Sequence, residues 1–158
     1  MMEKKYEIIL YGATGFTGQI CCKYLRDNYS DLTWAVAGRN KDKLEQVKSD
    51  YELECDVIVA DGGDLESLKS LASKTKVVLS TAGPFARYGS LLVQACVEEG
   101  THYTDITGEN HWVRGLIDKH HSEAAAKGIR IIPSCGYDSI PSDLGAFFLS
   151  LIHISEPT

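Results

Sequence analysis

The feature that most restricts this chain is a regular alternation of two kinds of segment. Short apolar runs rich in β-forming residues stand at 6–11, 33–37, 56–60, 76–80, 101–106 and 129–133. Runs of this length suit strands better than helices. Between them lie helix-like stretches at 15–26, 41–50, 65–73, 89–99 and 110–127. In the fourth, Leu91, Leu92, Ala95 and Cys96 share one face, Gln94, Glu98 and Glu99 fall elsewhere, and Gly100 supplies a stop. Strict alternation predicts right-handed βαβ crossovers. The expected fold is therefore a doubly wound α/β architecture, a parallel sheet of about six strands with helices on both faces.

Composition sets the outer limits. The 158 residues are 44% hydrophobic and 24% charged, enough to bury a core without disulfide or metal staples. Sixteen basic against 22 acidic residues leave a net charge of −6, which argues against nucleic acid or an anionic membrane as partner. Any anion must then be held by local donors. Five cysteines form an odd set without CxxC or zinc-ligand spacing, so neither a disulfide framework nor a metal site is expected. A reducing, cytoplasmic setting follows. The start lacks a signal-peptide pattern, and no apolar run approaches the roughly eighteen residues of a membrane span. Residues 1–149 read as one continuous unit. The helix that Pro141 and Ser142 open runs to Leu149, and residues 150–158 break the pattern, as a truncation or artefactual tail would. A bare apolar face on that last helix is the expected consequence.

After the first strand comes Gly12-Ala13-Thr14-Gly15-Phe16-Thr17-Gly18, followed at once by a helical pattern. In a Rossmann-type sheet this turn lies at the strand's carboxyl end, where the helix directs free N–H groups and its positive dipole end outward. A pyrophosphate satisfies both. Position assigns Gly12 to the tight turn, Gly15 to close approach of backbone to phosphate, and Gly18 to packing of helix on sheet. Thr14 and Thr17 add hydroxyl donors. The spacing is GxxGxxG rather than GxGxxG, and its meaning comes from its place between strand and helix. No GxxxxGK[ST] is present, which excludes a P-loop.

The second strand runs into Ala37-Gly38-Arg39-Asn40, about twenty residues beyond the glycine turn, where an NAD site places Asp or Glu. Arg39 presents a guanidinium instead, suited to a 2′-phosphate in fork geometry, and so favours NADP while leaving NAD possible. Asp61, at the end of strand three, admits two readings: a partner for the adenine amino group, or a turn residue beginning the cap of the next helix. The small residues Ala82, Gly83 and Pro84 after strand four leave room for ribose and nicotinamide.

Taken together, YGATGFTGQ at 11–19, AGRN at 37–40, GPFARYG at 83–89, DITGE at 105–109 and GYDSIPSDLG at 136–145 resemble the saccharopine dehydrogenase-like oxidoreductases, a group that includes bacterial trans-acting enoyl reductases. The resemblance implies an N-terminal NAD(P)-binding domain, followed in full-length members by a substrate and dimerisation domain, through which a homodimer forms. It places Gly12, Thr14, Gly15, Phe16, Thr17 and Gly18 around the pyrophosphate, Arg39 at the adenosine phosphate, and Ala82, Gly83 and Pro84 at the nicotinamide. The implied reaction is hydride transfer between NADP(H) and a small-molecule or lipid-like acceptor, with the chain alone inactive.

No catalytic residue is assigned. None of the eight tyrosines has Lys four positions on, and HExxH and GxSxG are missing. Tyr103, Asp105, Glu109, His111, Tyr137, Asp138 and Ser139 stand at the ends of strands five and six, yet for each a structural role is the better reading. Ser139 or Ser142 is a candidate cap, Asp105 and Thr107 are turn formers, and His120 and His121 are expected on a solvated helix face. Cys96 and Cys135 are expected in the core, with at least one of Cys21 and Cys22 facing inward. The alternative to an enzyme is a non-catalytic NAD(P)-binding redox-sensing module, which the glycine turn explains equally well.

Overall fold

In the computed structural model, which describes residues 4–152, strands and helices alternate without exception. The order is β1 (Tyr6–Tyr11), α1 (Phe16–Asn28), β2 (Trp34–Gly38), α2 (Lys41–Asp50), β3 (Asp56–Val59), α3 (Leu65–Ala72), β4 (Thr75–Ser80), α4 (Phe85–Glu98), β5 (His102–Asp105), α5 (Asn110–Ala126), β6 (Ile131–Ile132) and α6 (Ile140–Ile152). The strands form one six-stranded sheet in the order β3-β2-β1-β4-β5-β6, every pairing parallel. This is the doubly wound Rossmann arrangement that the alternation predicts. The chain builds outward from β1 to β3, then crosses back to β4 on the other side of β1. Between β1 and β4 the direction of winding reverses, and folds of this kind have their ligand crevice there, at the carboxyl ends of the strands.

Alternating side chains divide the strands between two cores. Ile9 and Tyr11 of β1 and Ala35 and Ala37 of β2 join Leu68 and Leu71 of α3, Leu92 and Val93 of α4, and Trp112 and Leu116 of α5. Leu10 of β1 and Trp34 and Val36 of β2 face the other way, toward Cys22 and Leu25 of α1 and Leu44 and Val47 of α2. All five residues of β2 are buried, as befits an inner strand covered on both faces. Each fully buried Leu, Ile or Val contributes about 1.5–3 kcal/mol.

Local chemistry starts the helices. The Asn40 side chain accepts from Lys43 N at 3.0 Å and caps α2, while Asp64 accepts from Glu66 N at 3.0 Å and caps α3. Helix α4 begins at Phe85, four residues before the expected start at Gly89. Gly83 and Pro84 read as loop in sequence, but Pro84 is the N-cap residue, with a cis bond from Gly83. Gly89 lies inside the helix because the Trp112 ring fills the space a Cβ would need. Strand β6 is two residues long rather than five: it is an edge, and Pro133 has no N–H to extend its ladder.

Three further expectations are corrected. His120 is buried, because Trp112, Leu116, His120 and Ala124 recur every four residues and form the inward stripe of α5; His121 is exposed as expected. Burial lowers the His120 pKa, with Lys119 acting in the same direction. Cys135 is only half-buried, its Sγ directed at the Ile132 carbonyl, whereas Cys96 is fully buried. Helix α6 continues to Ile152, past Leu149, and none of its residues is buried; residues 153–158 lie outside the described part. Its Leu144, Phe147, Phe148, Leu149 and Leu151 are exposed, the bare apolar face expected of it. Of the remaining cysteines, Cys22 and Cys55 are buried and Cys21 is half-buried, and all five thiols are free.

Gly18 is where α1 meets the sheet. A Cβ there would collide with the Gly12 carbonyl oxygen and the Ala13 backbone, neither of which can swing aside. Gly115 of α5, by contrast, has nothing near its missing Cβ. Gly18→Ala should therefore lower stability by about 1–3 kcal/mol, and Gly115→Ala should raise it by about 0.5–1 kcal/mol. Urea unfolding of both variants checks the opposite signs.

Candidate functional site

Parallel strands bring all their carboxyl ends to one edge, and the glycine turn stands at its centre, on β1. Gly12 has φ +92, a conformation that favours glycine, and a Cβ would press on Thr81 and Ala82 at the end of β4. The turn is tied down on both sides. Gly12 N donates to the Ala37 carbonyl at 2.9 Å, and the Thr81 hydroxyl donates to the Gly12 carbonyl at 3.2 Å. Gln19 Nε2 donates to the Thr14 carbonyl at 3.1 Å, while Gln19 Oε1 accepts from the Tyr51 hydroxyl at 3.1 Å. The carbonyls of the turn thus point into the protein.

Its outward side is bare. Gly15 is the N-cap residue of α1, contributes no side chain, and no acidic residue stands in the first turn of the helix. The next residues give a mixed wall: Thr14 and Thr17 are half-buried, while Phe16 is 83% exposed. The helices after β2, β3 and β4 have first-turn N–H groups engaged by Asn40, Asp64 and Glu109. Helix α5 also lacks a side-chain cap, but it follows β5, farther from the β1/β4 crevice. Free N–H groups, a positive dipole end and no internal anion make the start of α1 chemically fit for a diphosphate.

Arg39 follows β2 directly, is exposed, and among the described residues pairs with no carboxylate. Its charge is felt at the Tyr11 hydroxyl: burial raises the Tyr11 pKa, Asp61 adds to the rise, and Arg39 opposes it. The Tyr11 hydroxyl also lies close to where a Cβ at Gly62 would stand. Asp61 is exposed and closes its own turn, with Oδ1 accepting from Gly63 N at 2.9 Å; the cap of α3 is Asp64. Ala82 touches the glycine turn, and Gly83 and Pro84 are exposed beyond it.

Several polar residues at the strand five and six ends are structural. Asp105 is buried, accepting from the Tyr103 hydroxyl at 2.8 Å, Thr107 N at 2.9 Å and Ser134 N at 3.0 Å. Burial, and next the Asp105 charge, push the Tyr103 pKa upward, so this phenol keeps its proton. Tyr137, Asp138 and His111 are exposed, and Ser139 precedes α6, its carbonyl accepting from Asp143 N at 3.0 Å. The interaction missed by sequence reasoning is that of Glu109, whose carboxylate accepts from Phe85 N at 2.7 Å and Ala86 N at 3.0 Å. No local signal announces a pairing across more than twenty residues of chain. Among the described residues no group of three metal-ligating side chains occurs, and no helix is long and apolar enough to cross a membrane.

Residues 8–132 match the family described as saccharopine dehydrogenase NADP binding domain. The chain belongs to that family. NADP is accordingly the cofactor of this saccharopine dehydrogenase-type domain, as the guanidinium at Arg39 suggests. The chain is 43% identical over 154 residues to the trans-acting enoyl reductase of Mycobacterium leprae, covering 93% of this chain and 36% of that protein. It is 42% identical over 163 residues to the trans-acting enoyl reductase of Mycobacterium tuberculosis (strain ATCC 25618 / H37Rv), covering 99% and 38%. The chain thus spans little more than a third of these relatives. Among solved structures, apo saccharopine dehydrogenase (L-Glu forming) from Saccharomyces cerevisiae superposes with a TM-score of 0.76 at 19% identity, over 94% of this chain and 31% of that one. At that identity the likeness concerns the fold.

The Asp105 network yields a stability prediction. Tyr103→Phe removes the hydroxyl donor from a buried carboxylate and should cost about 1–3 kcal/mol. A thermal melt of the variant measures the loss, and an unchanged midpoint would show that Asp105 does not depend on that bond.

Proposed function

We propose that this domain holds NADP(H) for an oxidoreductase that transfers hydride to or from a small-molecule or lipid-like acceptor, an enoyl carbon being favoured by the names of the relatives. The observation that carries the reading is the bare N-terminus of α1 beside the β1/β4 crevice, with Arg39 presented after the neighbouring strand. Bound NADPH supplies the hydride, and the protein supplies binding and alignment. The first-turn N–H groups of Phe16, Thr17 and Gly18, with the Thr14 and Thr17 hydroxyls, bind the diphosphate, while Gly12 and Gly15, whose own N–H groups are engaged within the turn, keep its surface free of side chains for that approach. Arg39 holds the 2′-phosphate, Asp61 lies at the adenine end, and Ala82, Gly83 and Pro84 border the nicotinamide. We assign the acceptor site and any homodimer contact to the part of the relatives that this chain does not span, and the setting to the cytoplasm.

Titration of NADPH fluorescence tests the reading, and a saturable change is expected. Arg39→Asp should weaken NADPH by roughly ten- to a hundredfold, the equivalent of about 1.5–3 kcal/mol for hydrogen bonds to a charged group. NADH, without the 2′-phosphate, should change far less. Equal losses for both dinucleotides would remove the assignment of Arg39, and no saturable change with the unaltered chain would remove the binding reading itself.

A further inference from the structure

Glu109 lies in the loop between β5 and α5, yet its carboxylate is seated on the start of α4. Oε1 accepts from Phe85 N at 2.7 Å and Oε2 from Ala86 N at 3.0 Å, so one side chain engages two successive N–H groups of a helix N-terminus. A carboxylate in this place gains from charge-assisted bonds and from the dipole end of the helix. It also cancels the positive end of α4, leaving that helix without attraction for a second anion.

The carboxylate is itself held from behind. Glu109 N donates to the Thr107 hydroxyl at 3.1 Å, and Thr107 N donates to Asp105 Oδ1 at 2.9 Å. Thr107 and Asp105 are buried, and Asp105 is fixed in turn by Tyr103 and Ser134. Phe85, the residue whose N–H is taken, stacks on Trp112 of α5 at 6.0 Å between ring centroids. Two elements of the β5 side therefore grip the first residue of α4. Immediately before it stand Ala82, Gly83 and Pro84, of which Gly83 and Pro84 are exposed; Pro84 is tied to α4 itself, its carbonyl accepting from Arg87 N at 3.3 Å and Tyr88 N at 3.1 Å, so the loop follows the start of that helix.

We propose that Glu109 is a positioning residue for the nicotinamide end of the site: by clamping the start of α4 it holds the 82–84 loop in the shape that receives the nicotinamide. The inference rests on the placement of NADP given above. It predicts a split between the two halves of the cofactor, because Arg39 follows β2 and the glycine turn meets the β4 end through Thr81, which its own bonds to the Tyr11 and Gly12 carbonyls hold without Glu109.

The test compares NADPH with adenosine 2′,5′-bisphosphate, which carries the adenosine half and lacks the nicotinamide. In Glu109→Ala the Kd for NADPH should rise about tenfold, the change expected if the competent loop shape falls to about a tenth of the population. Binding of the bisphosphate should stay within about twofold, on the same argument that its site remains fully populated. Glu109→Gln, which keeps an acceptor for one of the two N–H groups, should lie between, and it carries the comparison if the alanine variant does not fold by circular dichroism. Parallel loss of both ligands would show a merely structural role, and unchanged binding of both would show no role; either result overturns the proposal. Failure of the unaltered chain to bind the bisphosphate would instead strike the cofactor reading on which the proposal stands.

Discussion

A missing side chain at Gly18 makes the rest of the arrangement possible. Helix α1 can lie against the turn that follows β1 only because no Cβ intervenes between it and the Gly12 carbonyl. With the helix seated there, its first N–H groups open on the carboxyl edge of the sheet rather than on its face. The opening of these N–H groups is thus a packing consequence. It needs no basic residue in the turn, which suits a chain carrying a net charge of −6.

The other side of the crevice is organised by hydrogen bonds between loops. Asp105 anchors the ends of β5 and β6, and Thr107 passes the constraint to Glu109, whose carboxylate ends on α4. The two halves of the edge therefore treat helix termini in opposite ways. At α1 the N–H groups are left open, whereas at α4 they are consumed by the protein's own carboxylate. Of these two helix ends, only that of α1 keeps its attraction for an anion.

Membership of the saccharopine dehydrogenase NADP-binding domain family accounts for the fold and the cofactor, and the chain spans little more than a third of its enoyl reductase relatives. In α6, none of the residues is buried and the large apolar side chains are exposed.

The sequence by itself determined the element order, the parallel sheet and the glycine turn. Each of these follows from neighbours close in the chain: apolar runs of strand length, helical spacing, and glycines where backbone must bend or approach. Residues 6–11 and 41–50 coincide with the observed elements for that reason. The burial of His120, expected on a solvated face, had a signal in the four-residue spacing it shares with Trp112, Leu116 and Ala124, which its polar ring outweighed. Only the tertiary structure decided where α4 begins, how short β6 is, and what Glu109 does. Those outcomes depend on groups far apart in the chain: Trp112 filling the space at Gly89, the place of β6 at the edge of the sheet, a carboxylate meeting N–H groups at the far end of the preceding helix. Local propensity carries no record of such encounters, since the partners become neighbours only after the sheet has formed.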